Sequence, residues 1–117
     1  MNLNLGGVTL DCADPHTLSE FWTRALDLEV AYKGDEFVQL VSRADRSRPY
    51  LGLQKVPEAK AGKNRVHLDL TTTDPDAEVA RLVSLGATAH ERYEEPGLRW
   101  TVLTDPVGNE FCVGTHG

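Results

Sequence analysis

The same pattern of residues occurs twice in the chain, at an offset of about sixty positions, and this repeat restricts the folds that the sequence can adopt. Asp14-Pro15 in the first half is matched by Asp74-Pro75 in the second. Asp is a good helix N-cap because its carboxylate accepts a backbone N–H, and Pro suits the first helical position. An alternating segment typical of a half-buried strand precedes each pair, at residues 8–12 and 68–72. Each half therefore predicts a strand that leads into a helix.

Both helices are predicted to bury one apolar stripe. In the first helix, apolar residues fall at helical spacing at Leu18, Phe21, Trp22, Ala25 and Leu26. In the second helix, a weaker stripe consists of Val79, Leu82, Val83 and Leu85. The glycine that follows, Gly86, predicts a left-handed cap at the end of this helix.

Three strand-like runs follow each helix, so that each half reads βαβββ. The runs are residues 29–33, 36–42 and 50–56, then 88–93, 99–103 and 110–114. We predict one α+β domain over residues 1–117, composed of module one (about 5–56), a polar linker (about 57–64) and module two (about 65–115). Two such tandem modules are expected to form an open, curved sheet barrel with a concave cavity inside and the helices outside.

Length and composition narrow the class of protein. A chain of 117 residues with 40% hydrophobic content suits one domain with its own core. Its two cysteines do not suggest a disulfide framework, so both are expected to be reduced. The N-terminal segment lacks the features of a signal peptide, and no apolar stretch approaches the length of a membrane span. These features predict a cytoplasmic protein.

The charge of the chain restricts the classes of partner that it can bind. A net charge of −6 argues against nucleic acid or an anionic membrane, because either would repel the chain at long range. Small molecules remain as partners. The basic residues are concentrated in a segment that is either a solvated loop and linker or an anion-recognition patch: Arg43, Arg46, Arg48, Lys55, Lys60, Lys63 and Arg65.

Several motifs together resemble the vicinal oxygen chelate superfamily, which includes the glyoxalase and bleomycin-resistance proteins. They are the paired Asp-Pro helix starts, FWTRALDLEV, LGLQKVPE, KNRVHLDLTTTDPDAEVARLVSLGA and DPVGNEFCV. The resemblance covers nearly the whole chain and implies paired βαβββ modules around an open barrel, a site on the concave sheet, and a homodimer. Members of the superfamily include isomerases, ring-cleaving dioxygenases and drug-sequestering proteins.

The resemblance also implies where metal ligands would lie, one on the first and one on the last strand of each module. In this sequence those positions are Gly7 and His67 on the first strands, and Gln54 and Cys112 on the last. His67 matches the family, whereas Gly7 offers no side chain and Cys112 stands in place of Glu. With nearby Glu110 added, the expected ligand set is His67, Gln54 and Glu110. The metal could be Zn, Mn, Ni, Co or Fe, and the alternative is that no metal is bound.

Strand alternation adds further residues to the predicted site. Glu110 should share a face with Cys112, and Asp69 with His67, so these four residues cluster if the first and last strands are neighbours. His67 and Glu110 are the candidate acid/base residues, although each also suits a hydrogen-bonded or solvated wall. Cys112 suits a small apolar wall residue or a nucleophile. The other candidate ligand-binding residues are Thr9, Asp11, Phe37, Gln39, Gln54 and Trp100.

Two functions are therefore expected. The first is an enzyme of lyase, isomerase or dioxygenase type that acts on a small organic molecule, with an atypical or absent metal site. The second is a protein that binds an antibiotic or metabolite without changing it. A scaffold or regulatory role stays open as a third, because a fold does not determine a function.

Overall fold

The structure is a computed structural model that describes residues 2–115, and it contains two βαβββ modules in tandem. The chain divides into two compact units, the first ending at Ala59 and the second beginning at Lys60. This division falls within the predicted linker. The predicted α+β class and the tandem modules are confirmed.

Module one contains a four-stranded sheet and one helix. The strands lie in the order β1-β4-β3-β2, with β1 parallel to β4 and the other pairs antiparallel. Because the first and last strands of the sheet are parallel, the module needs a crossover connection, and the helix supplies it. The elements are β1 (Gly7–Cys12), α1 (Pro15–Ala25), β2 (Leu28–Lys33), β3 (Phe37–Ser42) and β4 (Tyr50–Lys55).

Module two repeats this topology. Its sheet has the order β5-β8-β7-β6, with β5 parallel to β8. Each predicted strand is found in both modules, with its ends shifted by at most two residues. The elements are β5 (Leu68–Thr71), α2 (Pro75–Leu85), β6 (Thr88–Glu95), β7 (Leu98–Thr104) and β8 (Glu110–Gly114).

Both helices begin as the Asp-Pro pairs predict. The Asp14 carboxylate accepts hydrogen bonds from the backbone N–H groups of His16 and Thr17, at 3.1 and 3.2 Å. The Asp74 carboxylate accepts one from the N–H of Ala77 at 3.2 Å. Each cap satisfies backbone donors that have no partner inside the helix.

One face of each sheet is buried with its helix. In module one, Leu10, Leu53 and Val38 lie in register across three strands and are buried together with the α1 stripe. Of that stripe, the residues Leu18, Phe21, Trp22 and Ala25 are buried and Leu26 is half-buried, as predicted. The opposite face of each sheet holds the polar candidates.

The predicted stripe of α2 is wrong at one position. Leu82 is buried, but the Val83 side chain is 45% exposed. Successive residues of an α-helix point about 100° apart, so a stripe centred on Leu82 turns Val83 toward solvent. No helix within residues 2–115 has both the length and the apolar character needed to cross a membrane.

The cap of α2 gives a stability prediction. Gly86 has φ 122°, a left-handed conformation that side chains disfavour, and a Cβ atom there would lie 3.4 Å from Pro106 Cγ. Gly86→Ala should therefore lower the free energy of unfolding by roughly 1–2 kcal/mol, measured by urea denaturation. Gly62→Ala is the matched control, because a Cβ atom at Gly62 meets nothing within 4 Å. Equal effects of the two substitutions would contradict the strain at Gly86.

Candidate functional site

The parallel pairing of β5 with β8 brings together residues that are more than forty positions apart. Asp69 lies opposite Cys112, and Val102 of β7 lies on the other side of Cys112. Two residues further along, Thr71, Gly114 and Trp100 form the next row of the same face. This face points away from the buried face that carries Phe111 and Leu103.

A cavity of about 570 Å³ lies over this face of module two. Its wall is apolar at one end, with Trp100, Tyr93 and Leu98, and polar at the other. Cavities that bind small organic ligands have about this volume. The remaining lining residues are Lys63, His67, Asp69, Leu70, Thr71, Val102, Glu110, Cys112, Gly114 and Thr115.

The apolar end is built from two aromatic rings. Tyr93 lies opposite Trp100 in the β6–β7 pair, and the rings are stacked with their centroids 5.3 Å apart and their planes inclined by 18°. Gly114 permits this arrangement, since a Cβ atom there would lie 2.8 Å from Trp100 Cβ and 2.5 Å from the Arg99 carbonyl oxygen. The two rings form a planar apolar surface in the cavity wall.

The polar end contains three possible metal donors. His67 Nδ1 lies 3.1 Å from Asp69 Oδ1. The donor atoms of His67, Asp69 and Cys112 all lie within 4.8 Å of one another. The predicted cluster of first-strand and last-strand residues is therefore present for these three.

The Cys112 thiol is not activated by its surroundings. Partial burial raises its pKa, the Asp69 carboxylate raises it further, and Lys63 opposes both by lowering it. The net pKa lies above that of an ordinary thiol. A cysteine of this kind is mostly protonated at neutral pH and is a weak nucleophile.

Glu110 lies in the cavity wall, but both of its oxygens are engaged. Oε1 accepts a hydrogen bond from the Asn64 backbone N–H at 2.7 Å, and Oε2 lies 2.9 Å from Lys60 Nζ. Burial raises the pKa of this carboxyl, but the hydrogen bond and the Lys60 ammonium lower it by more, so the net pKa is below the ordinary value. These contacts tie the end of the linker to the start of β8, and the acid/base role of Glu110 stays a prediction.

The turn before β8 also helps to attach the linker to the sheet. Asp105 is buried, and its Oδ1 accepts hydrogen bonds from the N–H groups of Val107 and Asn109, at 3.0 and 2.9 Å. The Asn109 side chain in turn accepts a hydrogen bond from Asn64 Nδ2 at 3.1 Å. The DPVGN sequence is therefore a turn whose side chains position both Glu110 and the linker.

The predicted site residues of module one lie on one face of its own sheet. Thr9 and Gln39 flank Gly52 in register, and Asp11 and Phe37 flank Gln54 in the next row. The Gln54 amide donates a hydrogen bond to the Glu36 carbonyl at 3.1 Å. The predicted ligand set of His67, Gln54 and Glu110 remains a prediction, because these contacts leave it untested.

Gly7 has a structural reason for lacking a side chain. A Cβ atom at Gly7 would lie 2.5 Å from ring atoms Cδ1 and Cε1 of Tyr50, its partner in the β1–β4 pair. The Tyr50 ring thus occupies the space that a ligand side chain at position 7 would need.

Tyr93 and Lys63 are among the lining residues that were not predicted from the sequence, and of these two only Tyr93 had a detectable signal. Tyr93 and Trp100 are equally distant from the Pro96-Gly97 turn, so a two-residue hairpin loop would have paired them. Lys63 belongs to the basic segment, and its position in the cavity wall had no comparable signal.

Residues 7–114 match the family described as the glyoxalase-like domain. The chain belongs to this family. The resemblance to the vicinal oxygen chelate superfamily is thereby confirmed for this glyoxalase-like domain. No protein among the curated sequences compared matches the chain.

Solved structures support the same fold. A glyoxalase/bleomycin resistance protein/dioxygenase family enzyme from Burkholderia phytofirmans PsJN is 19% identical, with 97% of this chain and 98% of that chain covered and a TM-score of 0.80. The fosfomycin resistance protein FosX from Mesorhizobium loti is 15% identical, with 100% and 95% covered and a TM-score of 0.77. A FosX variant from Listeria monocytogenes, complexed with Mn(II) and 1S,2S-dihydroxypropylphosphonic acid, is 14% identical, with 100% and 93% covered and a TM-score of 0.80. At these identities the likeness establishes the fold alone.

The donors in module two fit Mn²⁺ poorly. Mn²⁺ is suited to carboxylate, carbonyl and water oxygens, whereas the three clustered donors are one imidazole, one carboxylate and one thiol. Imidazole and thiolate together suit a softer cation such as Zn²⁺. The donor chemistry of this glyoxalase-like domain therefore differs from what a manganese site requires.

The contacts of Glu110 give a pH-dependent prediction. Because its folded pKa lies below the ordinary value of 4.5, its stabilising contribution is complete above that value and is lost as the pH falls through the folded pKa. Glu110→Gln should lower the free energy of unfolding by about 1 kcal/mol at neutral pH, since the ion pair with Lys60 is lost. Urea denaturation across the acidic range should show this difference shrinking toward zero.

The control for this prediction is Glu58→Gln, which removes an exposed acid of the same linker. Its difference from the unmodified protein should not vary with pH in this manner. A Glu110→Gln effect that stayed constant down to strongly acidic pH would show that the ionised carboxylate is not what stabilises the attachment.

Proposed function

We propose that this protein binds a small organic molecule in the cavity of module two. The observation that carries the proposal is the cavity itself, about 570 Å³ in volume, with a stacked aromatic pair at one end and clustered polar groups at the other. Ligand sites in proteins commonly combine a mostly apolar wall with a few converging polar groups. Membership of the glyoxalase-like family and the ligand in the Listeria FosX structure support the same proposal.

The two ends of the cavity indicate the chemistry of the ligand. A flat, apolar part would stack against Trp100 and Tyr93, because aromatic rings favour offset stacking. A polar part would face Lys63, His67 and Asp69, which provide an ammonium, an imidazole and a carboxylate. The ligand is therefore proposed to be a small molecule with a planar apolar portion and a group that both donates and accepts hydrogen bonds.

A catalytic role is the second candidate, and the His67–Asp69 pair favours it. The Asp69 carboxylate lies 3.1 Å from Nδ1 of the His67 ring, where it would orient the ring and leave the other nitrogen to exchange a proton with a ligand. Lyase, isomerase and dioxygenase chemistry all remain within this candidate. Sequestration of an antibiotic or metabolite is the alternative in which the same cavity holds a ligand without changing it.

We also propose an oligomeric state and a location for the protein. The family resemblance suggests a homodimer, and light scattering on the purified chain would measure its mass in solution. We likewise propose that the protein acts in the cytoplasm.

The aromatic wall gives the direct test of ligand binding. A panel of small aromatic and heteroaromatic compounds would be screened by tryptophan fluorescence and by thermal stabilisation, which grows with ligand concentration for a specific binder. For any compound that binds, Trp100→Leu should weaken the affinity by about tenfold or more, since stacking and apolar contact are lost. Isothermal titration calorimetry would give the two dissociation constants.

Tyr32→Leu is the matched control, because Tyr32 is an exposed aromatic residue on β2 of module one. It should leave the affinity unchanged. Compounds that bind with equal affinity to the Trp100→Leu protein would place their site elsewhere and overturn the proposal.

Mass spectrometry of the recovered ligand separates the two candidates. Unchanged ligand after prolonged incubation supports sequestration. Altered ligand supports catalysis, and in that case His67→Ala should abolish the conversion, whereas His90→Ala, which removes an exposed histidine of β6, should not.

A further inference from the structure

Lys63 is the member of the basic segment that lines the cavity of module two. Other members of that segment already face acids, since Arg46 forms an ion pair with Glu29 and Lys60 forms one with Glu110. The Lys63 ammonium has no ion pair and no hydrogen-bond acceptor within residues 2–115. Its charge is therefore available to a ligand in the cavity.

The backbone around Lys63 is fixed on both sides, although the linker has no regular secondary structure. On one side, Lys60 Nζ lies 2.9 Å from Glu110 Oε2 and donates a hydrogen bond to the Gly62 carbonyl. On the other side, the Asn64 N–H donates a hydrogen bond to Glu110 Oε1 at 2.7 Å. A ligand that contacts Lys63 therefore has only the side chain to order, which lowers the entropic cost of binding.

The other charged groups in the cavity wall already have partners. Asp69 Oδ1 lies 3.1 Å from His67 Nδ1, and both oxygens of Glu110 are engaged by the linker. The Cys112 thiol has a raised pKa and is mostly protonated at neutral pH. The Lys63 ammonium lies near enough to this thiol to oppose the rise in its pKa, so its charge acts on the cavity side of the sheet. The polar end of the cavity therefore favours an anion.

The net charge of −6 does not reverse this preference. At physiological ionic strength, charges farther apart than about 8 Å are largely screened from each other in solvent. The charges that act on a bound group are therefore mainly those of the cavity wall, where Lys63 is the unpaired one among the residues that the structure describes.

The aromatic rings and the ammonium belong to opposite ends of the cavity. Trp100 lies opposite Gly114 of β8, whereas Glu110, beside which the linker is held, lies four residues earlier on the same strand. At roughly 3.3 Å per residue, the two ends are about 13 Å apart along the strand. The Lys63 side chain covers part of this distance, because it extends from the linker toward Cys112. One ligand can therefore contact both ends if its charged group projects from its ring.

We propose that Lys63 determines the specificity of this cavity and selects planar aromatic molecules that carry a carboxylate. The ring would stack on Trp100, and the carboxylate would accept a charge-assisted hydrogen bond from the Lys63 ammonium. This inference rests on the proposed function, because it requires the cavity to bind a ligand. It adds the charge of the ligand and the residue that recognises it.

Acids and their neutral amides test the charge preference on the full-length protein. The probes are 2-naphthoate, 2-naphthylacetate and 3-(2-naphthyl)propionate, each paired with its primary amide, and calorimetry gives the dissociation constants. For at least one pair, the acid should bind about tenfold more tightly than the amide, since a hydrogen bond between charged groups is lost in the amide. Raising the salt concentration should weaken the binding of that acid and leave the amide unaffected.

Variants assign the preference to Lys63. Lys63→Met should weaken binding of the preferred acid by about tenfold and change the affinity of its amide by less than about twofold. Lys63→Arg keeps the positive charge and should restore the preference for the acid. Lys33→Met is the matched control, because it removes an exposed lysine of β2 in module one and should change neither affinity.

The outcomes separate this inference from the proposed function. If the amides bind as tightly as the acids, or if Lys63→Met leaves the affinity for the acids unchanged, the inference is overturned while ligand binding in the cavity stands. Equal losses in Lys63→Met and Lys33→Met would also overturn it, since they would show a general effect of charge. If neither acids nor amides bind, the inference fails together with the proposed function. Acid binding that depends on Lys63 but is unchanged in Trp100→Leu would support Lys63 and contradict the stacking on Trp100.

Discussion

The parallel pairing of the first and last strand of each module is the constraint on which the rest of the structure depends. Parallel neighbours cannot be joined by a tight turn, so the chain must leave the sheet, form a helix and return. The helix then covers one face of the sheet and buries its apolar residues. The same pairing sets residues of the first strand beside residues of the last, as with Asp69 and Cys112. The same strand pairing therefore determines both the buried core on one face of the sheet and the polar residues on the other.

At the polar end of the cavity, two neighbouring side chains of one strand make different contacts. Glu110 and Cys112 project from the same face of β8, two residues apart, yet they have different surroundings. Glu110 forms an ion pair with Lys60 and accepts a hydrogen bond from the Asn64 N–H, and these contacts attach the linker to the sheet. Cys112 has the Asp69 carboxylate and the partly exposed His67 beside it. Glu110 therefore stabilises the cavity wall, whereas the Cys112 thiol lies among the possible metal donors.

Local signals in the sequence predicted the fold well. The Asp-Pro pairs have the cap geometry that they predict, because an N-cap depends only on the next three residues. The position of Trp100 follows from strand alternation once the strands are placed. The buried face of α2 was less predictable. Leu82 and Val83 are adjacent apolar residues that cannot both face the sheet, and only the packing of the helix against the sheet determines that Leu82 is the buried one. The partners of Glu110 could not be predicted, because they lie 46 and 50 positions away on a linker whose path no local pattern specifies.

The tyrosine ring that covers Gly7 has a consequence for how such a duplicated protein can change. A side chain at position 7 and the ring at position 50 would occupy the same volume, so position 7 cannot gain a side chain while Tyr50 is kept. A histidine gained at position 7 would collide with the ring. Placing a histidine at position 7, to match His67 of module two, would therefore require a smaller residue at position 50 as well.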